Sequence, residues 1–406
     1  MSVTARKPSS TPTSFPWVGL IVLAGAVFLS VTSEMIPTGL LPDMSSSLGV
    51  SEAQIGLLVT VFAFTVVLTS TPLTALTKRW PRHGMIVGIL LVLAISNALT
   101  AIAPNYGFVV ASRVIGGVAH GMFWAIVGAY AGHLVVKEQI GRAVSITLGG
   151  GTLAFVFGVP LGTIAGHALG WRISFGILAG LMVVGALLVW KFLPAVERDE
   201  DVPSRRRDAS VPKPRDPTII AVVMVCVVAA VTMIGHYSFY TFVVPFMTQI
   251  MSVPAADVGG LLFVYGIAGA VGLVIAGSVF GPRPQLGLVL AILLTGLSVA
   301  VLSIFAGQPI VAIGAFVLWG LGFGMLPPLL QTRFLHSSSA AFRDTASALY
   351  TTAFNIGIGG GALVGAWVYD LGGVTTLPLV YIGILLMSLV LVLVIGQMTK
   401  SRRPVS

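Results

Sequence analysis

The sequence predicts an all-α integral membrane protein whose twelve transmembrane helices form two pseudo-symmetric halves of six. Three observations carry that prediction. Of 406 residues, 56% are hydrophobic and only 9% are charged, against roughly 25% charged in an ordinary soluble domain. Mean hydropathy is +1.01, and so few charges could not cover a water-soluble fold of this length. The chain also divides into apolar runs of the ~20 residues that a helix needs to cross hydrocarbon. Finally, Lys and Arg gather at alternate ends of those runs, as short cytoplasmic loops require.

Residues 1–16 are rich in Ser, Thr and Pro and read as a disordered cytoplasmic tail. The first apolar run holds a glutamate and exceeds the ~7–15-residue core of a cleaved signal, so it reads as a span. The twelve spans are Trp17–Leu41, Ile55–Leu76, Gly84–Ala103, Tyr106–Leu134, Ala143–Leu169, Ile173–Leu193, Thr218–Ile250, Val258–Phe280, Leu286–Ala306, Ile310–Thr332, Thr345–Tyr369 and Thr376–Met398. They give an N-terminal half over 17–193 and a C-terminal half over 218–398. The linker 194–217 contains Glu197 to Asp201 and the run Arg205-Arg206-Arg207. It is too polar to bury and too long for a tight turn. Residues 399–406 form a second short tail. With the N-terminus inside, 20 of the 22 Lys and Arg fall on the cytoplasmic side; Arg172 lies outside and Arg113 lies within a span. Both termini are therefore expected in the cytoplasm of a cell membrane. The net charge of +9 then calls for no nucleic-acid partner, although Arg205–Arg207 can lie against anionic membrane lipid. Cys226 is the single cysteine, which excludes an intrachain disulfide.

The halves read as copies. Gly117 and Gly121 in span four recur as Gly320 and Gly324 in span ten, and Val31-Thr32 recurs as Val231-Thr232. Glycines 158, 162 and 166 in span five match 357, 361 and 365 in span eleven. Steps of four put each set on one helix face, where a neighbouring backbone can approach closely. These stripes, with Pro160, are expected to give sliding contacts as one half moves against the other. Repeat-built transporters place their site near the midplane between the repeats.

Charge inside hydrocarbon marks function by default. Glu34 and Arg113 are depth-matched, each roughly 10–12 Å below the outer surface at 1.5 Å per residue. They are expected to meet, either as a proton-coupling pair or as a static ion pair tying spans one and four. His120 can relay a proton or bind a polar solute, or it can be a neutral histidine bonded to a neighbouring helix. His236 stands near the repeat position of Glu34, with Tyr237 and Tyr240 beside it. Their rings suit a cavity for amphipathic or sugar-like solutes. Trp124, Asn355 and Gln331 complete the candidate cavity. His83, His133, His167 and His336 fall near span ends, where solvation is the default reading.

Local motifs suggest a family. Arg113-Val-Ile-Gly-Gly117-Val-Ala-His-Gly121 and Gly158-Val-Pro160-Leu-Gly162 resemble the fourth-span arginine–glycine and fifth-span glycine–proline motifs of the major facilitator superfamily. Ser33-Glu34, Leu40-Leu41-Pro42, Ala119-His120-Gly121 and Gly170-Trp171-Arg172 resemble the arabinose and sugar efflux permeases of its twelve-span drug:proton antiporter group. The resemblance implies export driven by protons. The loop Pro72 to His83 departs from it: proline replaces the family's glycine and no carboxylate is present.

No glycine-rich lysine loop for nucleotide is present, and no metal-ligand spacing or cofactor motif stands out. The expected function is secondary active efflux of a small organic solute, sugar-like or drug-like, by alternating access. A facilitator or importer stays open, as does a membrane sensor or enzyme without flux.

Overall fold

The computed structural model describes residues 15–77, 80–136, 139–195, 216, 218–339 and 342–401. The tail up to residue 14, linker residues 196–215, residues 402–406 and the loop cations Lys78 and Arg79 lie outside the described residues. Within the described residues, twelve helices are long and apolar enough to cross a membrane.

In the first half these are α1 (Trp17–Gly39), followed by the short α2 (Leu41–Leu48), then α3 (Glu52–Leu76), α4 (Arg82–Ala101) and α5 (Tyr106–His133). The fifth crossing is α6 (Ile140–Leu153), a π turn over Ala154–Gly158, and α7 (Val159–Leu169). The sixth is α8 (Trp171–Phe192). The second half begins with α9 (Ile219–Tyr240), a single turn α10 (Val243–Pro245) and a π turn over Phe246–Ile250. It continues with α11 (Ala255–Ser278), α12 (Pro284–Ile304), α13 (Pro309–Ser337), α14 (Arg343–Gly372) and α15 (Leu377–Ser401).

Two predicted spans are corrected. The first ends at Gly39 rather than Leu41, and the seventh is not continuous to Ile250. The causes are local. Pro42 sits at the start of α2 and Pro245 in α10, and neither can donate to the carbonyl four residues earlier. The chain therefore turns at matching points in both halves. Loop chemistry sets other ends: α3 opens with a capping box, in which Ser51 Oγ accepts from Gln54 N–H (3.2 Å) and Ser51 N–H donates to Gln54 Oε1 (3.0 Å). At the start of α9, Asp216 accepts hydrogen bonds from Thr218 and Ser339, which hold its carboxyl below the usual aspartate range.

Packing repeats as the sequence does. Gly117 and Gly121 of α5 admit α3, while Gly320 and Gly324 of α13 admit α11. Gly158, Gly162 and Gly166 lie against Thr32 and Ile36 of α1 and Leu40 just after it. Gly357, Gly361 and Gly365 lie correspondingly against α9. This overturns the expectation that the stripes face the opposite half: each joins its helix to the first crossing of its own half.

The halves meet along two other seams, α3 with α14 and α7 with α11. Their close approach uses glycines that the stripe pattern missed. Thr60 Oγ donates to Gly359 O at 3.0 Å. A Cβ on Gly266 of α11 would lie 2.6 Å from both Phe155 O and Val156 Cα, in the π turn. Pro160 reaches this seam, where its carbonyl would lie 3.2 Å from a Cβ on Gly259.

Candidate functional site

The polar centre of the first half is built on one face of α1. Ser30, Ser33, Glu34 and Pro37 recur at helical spacing, so their side chains point the same way. All are buried. Pro37 has no N–H, so the Ser33 carbonyl loses its helical partner. Arg113 of α5 supplies a replacement: Nη1 donates to Ser33 O at 2.7 Å and Nη2 to Glu34 O at 2.8 Å. The guanidinium also lies over the Phe62 ring, 4.2 Å from its centroid. Arg113 is only 1% exposed, and it ties α1, α3 and α5 together.

The expected carboxylate–guanidinium pair is thus corrected. Arg113 binds the backbone on either side of Glu34's Cα, and the Glu34 carboxylate meets His120 instead, with Nε2 to Oε2 at 3.4 Å. The reason is positional: the carbonyl stranded by Pro37 is the acceptor that the guanidinium fork reaches. His120 Nδ1 is bonded to Ser30 Oγ at 2.8 Å, and its ring stands edge-on to Phe62. Asn97 of α4 exchanges hydrogen bonds with Ser33 Oγ (2.8 and 3.1 Å) and donates to Leu93 O. Glu34 Oε1 and Arg113 Nε have no hydrogen-bond partner. A buried charged group with spare hydrogen-bonding capacity is costly unless another state satisfies it.

The second half answers with aromatic rings. His236 stacks on Phe323 (centroids 3.3 Å apart, 6° between planes) and on Tyr240 (5.0 Å, 21°). It meets Tyr237 edge-on, and its Nδ1 is 3.3 Å from Tyr381 Oη. Trp319 and Tyr265 close the nest. His236 Nε2 and Tyr265 Oη lack partners. His236, Tyr237 and Tyr240 were expected to line an open cavity. They are instead buried, because the nest packs its rings on one another. Tyr237 lies within electrostatic range of Glu34.

The open space lies elsewhere. A groove of about 440 Å³ runs between the later turns of α3, the middle of α5 and the first turns of α14. Twelve crossings put both termini on one face of the bundle, and the groove lies towards that face. Ser70, Thr74, Trp124, Ser347, Thr351 and Asn355 line it. Trp124 and Asn355 thus line the same groove. Trp124 also stands one turn from His120, with rings 6.0 Å apart. Gln331 is exposed; it lies two turns beyond Phe323 on the same face of α13, outside the residues that line the groove.

On the opposite, distal face, side chains bridge the halves beside a second pocket of about 430 Å³, lined by Asp43, Glu52, His167, Val244 and Thr248. The Phe242 ring occupies the space that a side chain at Gly56 would need. Tyr369 Oη donates to Glu52 Oε2, and Gln249 Nε2 contacts both, at 3.2 Å to Glu52 and 3.3 Å to Tyr369. Nearby, His167 pairs with Asp43 at 2.8 Å and, on the other face, His83 contacts Val189 O. Neither histidine is left to solvent as the sequence reading supposed.

Ser30, Asn97, Thr60, Glu52, Gln249 and Tyr369 were not singled out from sequence. Asn97 had a usable signal, an amide alone in an apolar run. Ser30 had another, its place one turn before Glu34. The other four had none, since their partners lie across the halves.

Comparison with known proteins fits this geometry. The family model of the Major Facilitator Superfamily matches residues 23–362 and 225–405. A probable sugar efflux transporter of Helicobacter pylori is 31% identical over 354 residues, covering 87% of this chain and 88% of that protein. A chloramphenicol efflux pump of Mycobacterium tuberculosis is 32% identical over 386 residues, covering 91% of each. Among solved structures, a bacterial homologue of the human lysosomal transporter Spinster, inward-facing and occupied, superposes with a TM-score of 0.74. It is 17% identical, with 95% of this chain and 98% of that one covered. The human organic anion transporter MFSD10 gives 0.69 at 16% identity, with 92% and 98% covered. Two six-helix halves, a site between them and relatives aligned almost end to end leave one conclusion: this chain is a membrane transporter of the Major Facilitator Superfamily, and not an enzyme.

Proposed function

We propose that this transporter exports a small organic solute, sugar-like or drug-like, in exchange for protons, by alternating access. It sits in the cell membrane with both termini and the 194–217 linker in the cytoplasm, so the groove faces inward and the Phe242–Tyr369 side faces out. Residues 17–193 and 218–398 move as the two halves, and α3–α14 and α7–α11 are the seams along which they rock.

The observation that carries the proton role is the Glu34 carboxylate, buried at 5% exposure with Oε1 unpartnered and Oε2 against His120. A carboxylate there can be neutralised by a proton without breaking a structural ion pair, because Arg113 is engaged with backbone. Glu34 takes a proton when the distal face opens and gives it up inside; His120 assists the transfer, and Arg113 holds the α1 turn. Trp124 and Asn355 receive the solute in the groove, and Gln331 stands on the face leading inward from the nest. His236, Tyr237 and Tyr240 meet the solute once the halves move apart, with Gly158, Gly162, Gly357 and Gly361 keeping each half rigid as it moves. The names of the relatives favour export, of a sugar in one case and chloramphenicol in the other. One charge moved inward is worth about 2.3 kcal/mol per 100 mV. At ~150 mV that sustains a gradient of a few hundredfold, by the ~1.4 kcal/mol per decade rule.

Glu34→Gln is expected to fold normally and to lose solute movement driven by a pH gradient in vesicles, with arabinose and chloramphenicol as probe solutes. Undiminished, pH-driven export by that variant would remove the proposal.

A further inference from the structure

Ser30 is absent from every role assigned so far, yet among the described residues it is the side chain bonded to the far nitrogen of His120. The hydroxyl is 0% exposed and lies one helical turn from Glu34, towards the groove side. Elsewhere in these helices a buried hydroxyl commonly turns back to the carbonyl four residues earlier: Thr32 does so to Phe28 O (2.7 Å), and Thr232 to Val228 O (2.7 Å). Ser30 does not; its Oγ meets His120 Nδ1 at 2.8 Å. In a neutral imidazole one nitrogen carries the proton and the other accepts, and the hydrogen bond made by one decides the state of the other.

We infer that Ser30 is a positioning residue: by donating to His120 Nδ1, it holds the imidazole as the Nε2–H tautomer, with that proton aimed at the Glu34 carboxylate. The inference rests on the proton-coupled reading for its purpose but not for its geometry. The charged and titratable groups around His120 are consistent with it. From α1 comes Glu34, which needs a donor. From its own helix comes Arg113, whose Nη1 and Nη2 are engaged with carbonyls. From α3 comes the Phe62 ring, and the Tyr237 phenol of α9 lies within electrostatic range of Glu34. With Nδ1 protonated instead, Nε2 would present a lone pair to a carboxylate oxygen, and two acceptors would confront each other in a buried site.

The hydroxyl can also reverse. When Glu34 gains a proton and donates to Nε2, His120 can carry its own proton on Nδ1 and Ser30 can turn to accept it. On release inward the carboxyl O–H is broken, Nε2–H is formed, and the Nδ1 proton leaves towards the groove side, where Trp124 stands one turn away. No net oxidation occurs and no other co-reactant is needed than water to accept the proton. Ser30 thus couples the histidine's tautomer to the protonation of Glu34.

The test uses the full chain in lipid vesicles, with ¹⁵N-labelled histidine and the His120 signals assigned by their loss in His120→Asn. Wild type is expected to show the Nε2–H tautomer at a pH where Glu34 is ionised. Ser30→Ala should give a mixture of tautomers, and Ser30→Thr should restore the single one. The protonated carboxyl band of Glu34, assigned in the infrared by its loss in Glu34→Gln, should change its midpoint in Ser30→Ala by about half to one pH unit, the effect of one hydrogen bond. A wild-type Nδ1–H tautomer, or a Ser30→Ala protein matching wild type in both signals, overturns the inference. The wild-type tautomer decides it even where Ser30→Ala does not fold. If Glu34→Gln still exports with pH dependence while the tautomers behave as stated, the proposed function falls and the assignment of Ser30 stands.

Discussion

Arg113 gives back to α1 the hydrogen bonding that Pro37 removes. A lysine there could reach one carbonyl as a point donor but could not bridge Ser33 O and Glu34 O with a planar fork. Arg113→Lys is expected to cost about 1.5–3 kcal/mol, the scale of a charged hydrogen bond, read as a lower unfolding midpoint of the purified full chain. In a Pro37→Ala background the cost should shrink, because a restored amide covers Ser33 O; equal costs in both backgrounds would refute the link. Glu34, Arg113 and His120 were legible in the sequence because charge and imidazole are rare inside hydrocarbon. Their pairing was not legible. Depth alone matched Glu34 to Arg113, and depth does not say whether the guanidinium meets side chain or backbone.

Among the helices, α11 carries a close backbone approach between the halves. Gly259 and Gly266 lie seven residues apart, two turns along one face, against Pro160 and the π turn before α7. The π turn matters because it presents the Phe155 carbonyl to that seam. Gly266→Val places side-chain atoms where Phe155 O and Val156 Cα already are, and backbone cannot yield as a flexible side chain can. Spin labels at Ser46 of α2 and Thr248 of the Phe246–Ile250 turn should then report a changed separation between the halves. Gly260→Ala is the control, since a Cβ there meets nothing within 4 Å; an unchanged separation in Gly266→Val would show that this seam does not set the conformation. The glycine stripes of α7 and α14 were visible as periodicity. Which neighbour each stripe received could not be, because a small face fits any helix that approaches it.

For the molecule as a whole, the two faces differ in what bridges the halves. On the distal side the Glu52–Gln249–Tyr369 cluster joins α3, the Phe246–Ile250 turn and α14, so it holds both halves. On the other side the groove stays open between α3, α5 and α14. Tyr369→Phe removes the phenol that both Glu52 and Gln249 contact while keeping the ring stacked on Phe242. We expect it to raise the population open on the distal side several-fold, at ~1 kcal/mol for the lost hydrogen bond, read by labelling a cysteine placed at Val244 with a membrane-impermeant thiol reagent. Labelling no faster than in the parent protein would show that the cluster is incidental.

Composition and spacing determined that the chain is helical, crosses a membrane twelve times and is built as a duplicated six-helix unit. Those properties follow from summed apolar length and from the placement of glycine and proline, which are local and additive along the chain. Glu34 could be identified the same way, as an ionisable group in a span that also carries a proline. Only the tertiary structure decided that its carboxylate faces His120, that Ser30 stands behind that histidine, and that His236 is packed into an aromatic nest. It also decided which side chains bridge the halves on the distal face. These outcomes depend on how residues far apart in sequence compete for the same few hydrogen bonds and the same close contacts. A carbonyl freed by Pro37, a ring admitted by Gly56 and a seam opened by Gly266 settle them, and periodicity along the chain carries no record of such competitions.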